Sequence, residues 1–164
     1  MRRVLTCIIV LLGITWSAFA QSIPTALRGK WVVRRVLPTT TISCWGHKET
    51  NALIGTELEY SSQVFRWQKV VTKNPIAEAS IITAEQFHDQ NSGMGTNSSQ
   101  VTFKQLGIEE RKVTQVVVRH PPASIAEGTF AIPGDFLLIK GQNTIVFSVC
   151  GVYFEATRSG SAPY

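Results

Sequence analysis

The sequence predicts a mainly β fold, either a single antiparallel β-barrel or a strongly curved sheet, with one or two short helices. About eight to nine short runs rich in β-branched and aromatic residues follow one another along the chain. The last three runs are joined by tight turns, which is typical of an antiparallel meander. Closing such a sheet also protects its edge strands from pairing with other chains.

The first half of the chain contains three well-marked strand candidates. Residues 31–37 form a valine-rich run that follows Gly29 and stops at Pro38, a residue that lacks the N–H needed for strand pairing. Residues 56–60 and 63–69 are expected to form two strands around a serine turn. Shorter candidate strands lie at residues 70–72, 80–82 and 129–132.

The second half is expected to end in a meander. A β-branched run at residues 113–119 is followed by strand candidates at residues 135–140, 144–150 and 152–158. Gly151 marks a bend or bulge between the last two.

Two segments carry helix signals. Residues 48–54 end at Gly55, which suits a left-handed helix cap. A second helix is expected to begin at Thr83, because Gln86 three residues later completes a sequence close to a capping box. The following run of Asn, Ser, Gly and Thr at residues 90–100 has no periodicity and predicts a surface loop.

The first twenty residues have the three parts of a cleavable export signal. Arg2 and Arg3 give a basic start, residues 4–14 are apolar, and Ala18-Phe19-Ala20 supplies small residues before a cleavage site at Gln21. The apolar run is short for a membrane span of about 30 Å. We therefore expect a signal peptide at residues 1–20, one domain at residues 21–164, and a periplasmic or secreted protein without a membrane span.

Charge argues against a nucleic-acid partner. Without Arg2 and Arg3, the 16 basic residues of the chain become 14 against 11 acidic ones, a net charge of +3. The basic residues are spread along the chain and form no dense stripe of the kind that nucleic-acid surfaces show.

Cleavage of the signal would leave two cysteines, Cys44 and Cys150. An even pair in an oxidising compartment predicts a disulfide. Two buried free thiols are one alternative. The other is a reactive thiol at Cys44 beside His47, since an imidazole can activate a thiolate.

The two ends of the domain resemble the lipocalin-like (calycin) superfamily. Gly29-Lys30-Trp31 is similar to the Gly-x-Trp that opens the first strand of that family, and Arg158 stands where the family places an arginine over the tryptophan. The resemblance implies a structural barrel floor: Gly29 for the close turn, Trp31 as the plug, and Arg158 in a cation–π contact with the indole.

No motif of a known catalytic or metal site is present in the sequence. His47, His88 and His120 lack a metal-ligand spacing, and His120, which precedes two prolines, is expected to be exposed. The sequence therefore predicts a protein that is not an enzyme and has no cofactor or metal.

Two tryptophans outside the floor position are candidates for ligand or partner contact. Trp45 lies in polar, loop-like sequence and Trp67 lies within the strand candidate at 63–69, and local packing is the alternative role of both. The predicted function is an exported lipocalin-like binding protein for a small apolar ligand. The alternative is a protein-interaction module of the enzyme-inhibitor or immunity type, which would use the loop at 90–100 or the Trp45 region.

Overall fold

The computed structural model describes residues 22–39, 43–91, 101–120 and 132–160 of the 164-residue chain. These residues form one antiparallel nine-stranded sheet, strongly curled into a half-barrel, with two short helices. The predicted fold class is confirmed. The predicted signal peptide at residues 1–20 lies outside the described residues.

The strands and helices keep the order of the predicted elements. The strands are β1 (Gly29–Val36), β2 (Glu57–Tyr60), β3 (Val64–Trp67), β4 (Val70–Lys73), β5 (Ile76–Thr83), β6 (Lys112–Arg119), β7 (Phe136–Ile139), β8 (Thr144–Val149) and β9 (Val152–Arg158). The helices are α1 (His47–Leu53) and α2 (Ala84–Asn91).

Pairing of the first strand with the last determines the shape of the sheet. The strand order is β4-β3-β2-β1-β9-β8-β7-β6-β5, so β4 and β5 are the two edges. These edge strands are consecutive in the chain, separated only by Asn74 and Pro75. The half-barrel therefore has a gap between two strands that are neighbours in sequence.

Three predictions about individual segments need correction. The fifth strand covers Ile76–Thr83, far more than the expected residues 80–82, because all eight of its residues pair with β6. Residues 90 and 91 end helix α2, whereas the rest of the predicted loop at 90–100 lies outside the described residues. Of the strand candidate at 129–132, only Ile132 is described, and it is buried outside any strand.

The inner face of the sheet carries the main apolar core. Side chains from the whole curl meet there, and the largest of them are fully buried. These large residues are Trp31, Tyr60, Phe65, Phe147 and Phe154. Phe147 and Phe154 are cross-strand neighbours whose rings stack with centroids 5.3 Å apart.

A second apolar core covers the outer face of β5 to β9. Phe87 of α2 packs there with Phe103 and Leu106 from the segment that precedes β6, and with Tyr153 of β9. The Tyr153 hydroxyl donates to Asn91 Oδ1 at 3.1 Å, which fixes the end of α2 to the sheet. This part of the sheet thus has an apolar core on each face, and the second core was not predicted from the sequence.

Local sequence explains where both helices begin. The capping box of α2 is confirmed: the Gln86 N–H donates to Thr83 Oγ1 at 3.2 Å, and the Thr83 N–H donates to Gln86 Oε1 at 2.9 Å. In α1 the Gly46 N–H donates to Glu49 Oε2 at 3.1 Å. Gly55, with φ 83°, ends α1 as expected.

Candidate functional site

The three residues of the resemblance lie together. The Arg158 guanidinium stacks over the Trp31 ring, with its central carbon 4.2 Å from the ring centroid. Its nitrogens donate to the carbonyls of Ala26 and Arg28, at 2.8 and 2.5 Å, so the arginine ties β9 to the turn that precedes β1. Gly29 has φ 127°, and a Cβ placed on it would lie 2.6 Å from Arg158 Nη1. The close approach therefore requires glycine.

The two cysteines of the domain are at disulfide-bonding distance. Cys44 follows β1, Cys150 lies between β8 and β9, and their Cα atoms are 5.2 Å apart. The Cys44 N–H also donates to the Cys150 carbonyl at 3.2 Å. This pairing favours the disulfide over either free-thiol alternative.

Trp45 is held beside this disulfide. Its backbone N–H donates to Ser43 Oγ at 2.9 Å, and the Ser43 hydroxyl donates back to the Trp45 backbone carbonyl at 3.0 Å. The indole is half-buried and packs against the inner core. Trp45 thus combines a packing role with a solvent-accessible surface.

Helix α1 brings the same region close to β1. Leu53 is buried in the inner core, and the Gly55 N–H donates to the Val33 carbonyl at 2.8 Å. The Val33 N–H in turn donates to the Thr56 carbonyl at 2.9 Å. The end of α1 is therefore fixed to β1 by backbone hydrogen bonds.

On the apolar inner face, Trp67 places an indole N–H that has no hydrogen-bond partner in the described part of the chain. It pairs with Leu58 of β2 and Val70 of β4, and Leu58 pairs with Trp31, so these four residues form one row across the sheet. The Trp67 Nε1 atom is shielded from solvent and has no acceptor among the described residues. A buried indole N–H without a partner costs about 1–3 kcal/mol. Its position marks a place where an acceptor atom would be stabilising.

Burial changes along the inner face. Trp31, Tyr60 and Phe154 are buried to within 1 % of full coverage. By contrast, Trp67 and Val70 pack against the same core but remain half-buried. The interior is filled by protein side chains at its centre, and Trp67 and Val70 are among the partly accessible apolar residues at its margin.

A hydrogen-bonded chain joins the two sides of the curl. His120, just after β6, contacts Thr72 of β4 through Nδ1 at 2.7 Å and Asp135 through Nε2 at 2.5 Å. A carboxylate only accepts, so Nε2 carries a proton; in the neutral imidazole Nδ1 is then the acceptor for the Thr72 hydroxyl. The imidazole also packs against the Phe65 ring, with centroids 5.1 Å apart. We call Thr72, His120 and Asp135 the seam triad.

The seam triad connects a hydroxyl, an imidazole and a carboxylate in the same order as a serine-hydrolase triad. Here, however, the hydroxyl is buried and the carboxylate is exposed. Thr72 is completely buried, the His120 side chain is 3 % exposed, and the Asp135 side chain is 42 % exposed. A substrate would meet the carboxylate, because the hydroxyl faces the core. This geometry supports a role in joining the edge strand β4 to the ends of β6 and β7, and the expectation that the His120 side chain is exposed is wrong.

A tyrosine lies next to the seam triad. The Tyr60 hydroxyl donates to the Gly134 carbonyl at 2.9 Å, and its ring packs against Phe65. Complete burial, with a smaller effect from the Asp135 charge, raises the pKa of Tyr60 well above its ordinary value. The phenol is therefore a permanent donor at neutral pH.

The remaining titratable groups predicted as candidates are spread over different elements. His47 begins α1, His88 lies in α2 and His120 belongs to the seam triad. Within the described ranges, no group of three or more His, Cys, Asp or Glu side chains is arranged to hold a metal ion.

Charged groups on the outer face satisfy one another. Burial would raise the pKa of Glu155, but hydrogen bonds from Arg35 and Lys140 outweigh it and lower the pKa overall. Arg35 Nε lies 3.0 Å and Lys140 Nζ 3.1 Å from this carboxylate. Glu155 thus belongs to an ion-pair network that connects β9 to β1 and to the end of β7.

None of the helices in the described part of the chain is long and apolar enough to cross a membrane. The chain matches no protein-family model, no curated protein and no solved structure.

Proposed function

We propose that this protein is exported and binds a small, mainly apolar molecule carrying one hydrogen-bond acceptor, next to Trp67 on the inner face of the sheet. It would act by binding and not by catalysis. The observation that carries the proposal is the buried Trp67 Nε1–H, which has no acceptor among the described residues and lies on an apolar face. An acceptor on the ligand would stabilise this group, and the ligand's apolar part would cover Val70.

A lipocalin-like relationship is part of this proposal. The resemblance implies that Gly29, Trp31 and Arg158 form a structural floor, and the cation–π contact between Arg158 and Trp31 supports that assignment. The same curved scaffold then presents the half-buried Trp67 to a ligand. Trp45, the other predicted contact, lies outside this site: it follows Cys44 at the Cys150 end of β9, whereas Trp67 is in the row of residues at the Arg158 end.

The ligand class can be tested with two probes that differ only in an acceptor. Benzylacetone carries a carbonyl, and butylbenzene is its hydrocarbon counterpart. We expect both to bind, and the ratio of their affinities to fall by about 2- to 10-fold in Trp67→Phe, the value of one net hydrogen bond. Isothermal titration calorimetry on the exported protein measures the four dissociation constants.

Trp45→Phe is the matched control, since it removes an indole N–H from the same face. It lies at the Cys150 end of the sheet, away from Trp67, and is expected to leave both dissociation constants and their ratio unchanged. If neither probe binds, the ligand-binding proposal is wrong. If both bind but Trp67→Phe leaves the ratio unaltered, the assignment of Trp67 as the polar contact is wrong.

Export is tested separately. The intact mass of the protein recovered outside the cytoplasm should correspond to a chain that begins at Gln21. The mass should also show that Cys44 and Cys150 resist alkylation until a reductant is added, because the disulfide consumes both thiols. A full-length, alkylatable chain would contradict the export part of the proposal and leave the ligand experiment intact.

A further inference from the structure

The two edges of the sheet differ in how they are protected against pairing with another chain. β4 has only four residues, ends in Lys73 and is followed closely by Pro75. Short length, lysine and proline are the features that natural edge strands use to prevent association. β5 is twice as long, with eight residues paired to β6 in continuous register. It contains no lysine, proline or glycine.

Side chains on β5 reinforce the contrast. Ile81 is 70 % exposed and Ile76 is 42 % exposed. The strand has one charged residue, Glu78, and Arg119 neutralises it at 3.0 Å. Among the described residues no strand covers the second edge of β5.

We propose that the free edge of β5 is a homodimer interface in which it pairs antiparallel with β5 of a second copy. The two copies would be related by a two-fold axis at Ala79. Association about a two-fold axis is the commonest symmetry among oligomers of identical chains. The proposal is independent of the ligand site, which lies on the inner face at Trp67.

Charge and side-chain size favour this register. An axis at Ala79 places Ile81 opposite Ala77 of the second copy. Ala77 is small and fully buried in its own inner core, so Ile81 faces no second large side chain across the strand pair. Glu78 falls opposite Ser80 of the second copy, which separates the two carboxylates, and its partner Arg119 already offsets each charge. Directly opposed like charges would be destabilising, so registers that place Glu78 opposite itself are disfavoured.

Sedimentation velocity on the exported protein tests the association. We expect a dimer that dissociates on dilution, since the edge of a single strand forms a small interface. Ile81→Lys should raise the dissociation constant at least about tenfold, because it places a charge in the strand pair. Val71→Lys is the matched control: it changes an exposed apolar residue, 45 % exposed, on the other edge strand, and it should leave the dissociation constant unchanged.

Cross-linking tests the register. In Ala79→Cys the two introduced thiols would lie on directly opposed residues, whose Cα atoms are about 4.5–5.5 Å apart in an antiparallel pair. A short bis-maleimide should join them into a dimer that resists reduction, and Val71→Cys should not be joined. A protein that remains monomeric at about 100 μM, a concentration at which micromolar affinity would make most chains dimeric, overturns the proposal. A dimer that is unaffected by Ile81→Lys and is not linked through residue 79 overturns it equally.

Discussion

Replacement of Thr72 by valine tests whether the seam triad holds the curled sheet together. The substitution keeps the shape of the side chain and removes its hydroxyl, so His120 Nδ1 loses its donor. Both residues are buried, Thr72 completely and the His120 side chain to 3 % exposure, so water does not replace the lost partner. An unsatisfied buried acceptor costs about 1–3 kcal/mol. We expect Thr72→Val to lower the free energy of unfolding by that amount.

Urea unfolding followed by circular dichroism, with the disulfide intact, measures this change. A second variant sharpens the interpretation. Adding His120→Phe to Thr72→Val keeps a ring against Phe65 and removes the orphaned nitrogen, and Asp135 is exposed enough to be solvated. The double variant should therefore lose less free energy of unfolding than the two single variants lose together, with a coupling energy of about 1 kcal/mol.

Thr114→Val provides the control, because Thr114 is a half-buried threonine on β6. Its effect should stay within about 0.5 kcal/mol. If Thr72→Val is equally mild at an unchanged denaturant slope, the Thr72–His120 hydrogen bond does not stabilise the sheet. Simple additivity of the Thr72 and His120 substitutions would show the same.

Three further outcomes follow from the fold. Burial raises the pKa of both Tyr60 and Tyr153 above 10.0. Their contribution to the free energy of unfolding is therefore complete below about pH 10 and is lost as the pH rises, at up to about 1.4 kcal/mol per pH unit for each tyrosine. Urea unfolding at several alkaline pH values should show this decrease, and Tyr153→Phe should make it less steep. Gly29→Ala should cost more than about 1 kcal/mol and lower the melting temperature, because φ is 127° and the new Cβ would meet Arg158; Gly141→Ala, whose Cβ meets nothing within 4 Å, should be near neutral or stabilising. Replacing both cysteines of the disulfide by serine should cost about 2–5 kcal/mol in urea unfolding, and an unchanged stability would show that the crosslink constrains nothing.

Most strands and the pairing of the last three were predictable from the sequence, but the pairing of β1 with β9 and the full length of β5 were not. The meander of β7, β8 and β9 follows from β-branched runs and tight turns, and the helix start at Thr83 follows from its capping box. β5 was predicted too short because Ala77, Glu78 and Ala79 have low strand propensity. Pairing along the whole of β6 overrides that local preference.

The seam triad could not be predicted because its members are far apart in sequence. Thr72 precedes His120 by 48 residues, and Asp135 follows it by 15. Two prolines after His120 indicated an exposed turn, whereas the curl of the sheet brings β4 against it. Similarly, Leu106 and Ile108 precede a charged run and are nevertheless buried in the outer core. A local pattern shows which residues are apolar, but the topology decides which surface covers them.

The position of the disulfide has a consequence for the order of folding. Among the nine described strands, every neighbouring pair except β1 and β9 is also consecutive in the chain. Joining β1 to β9 is therefore the one step that must close a loop over most of the domain, and such closures slow folding. Cys44 and Cys150, separated by 106 residues, bond just after β1 and just before β9.

In the oxidised unfolded chain this bond already brings the two strands close together. Shortening the loop about tenfold removes about 2 kcal/mol of closure entropy, or up to about 30-fold in rate. Refolding from urea with the disulfide intact should then be faster than refolding of the double-serine variant, in addition to the difference in the free energy of unfolding. The disulfide would hold β1 and β9 close together before they pair, so it would form before the sheet is complete.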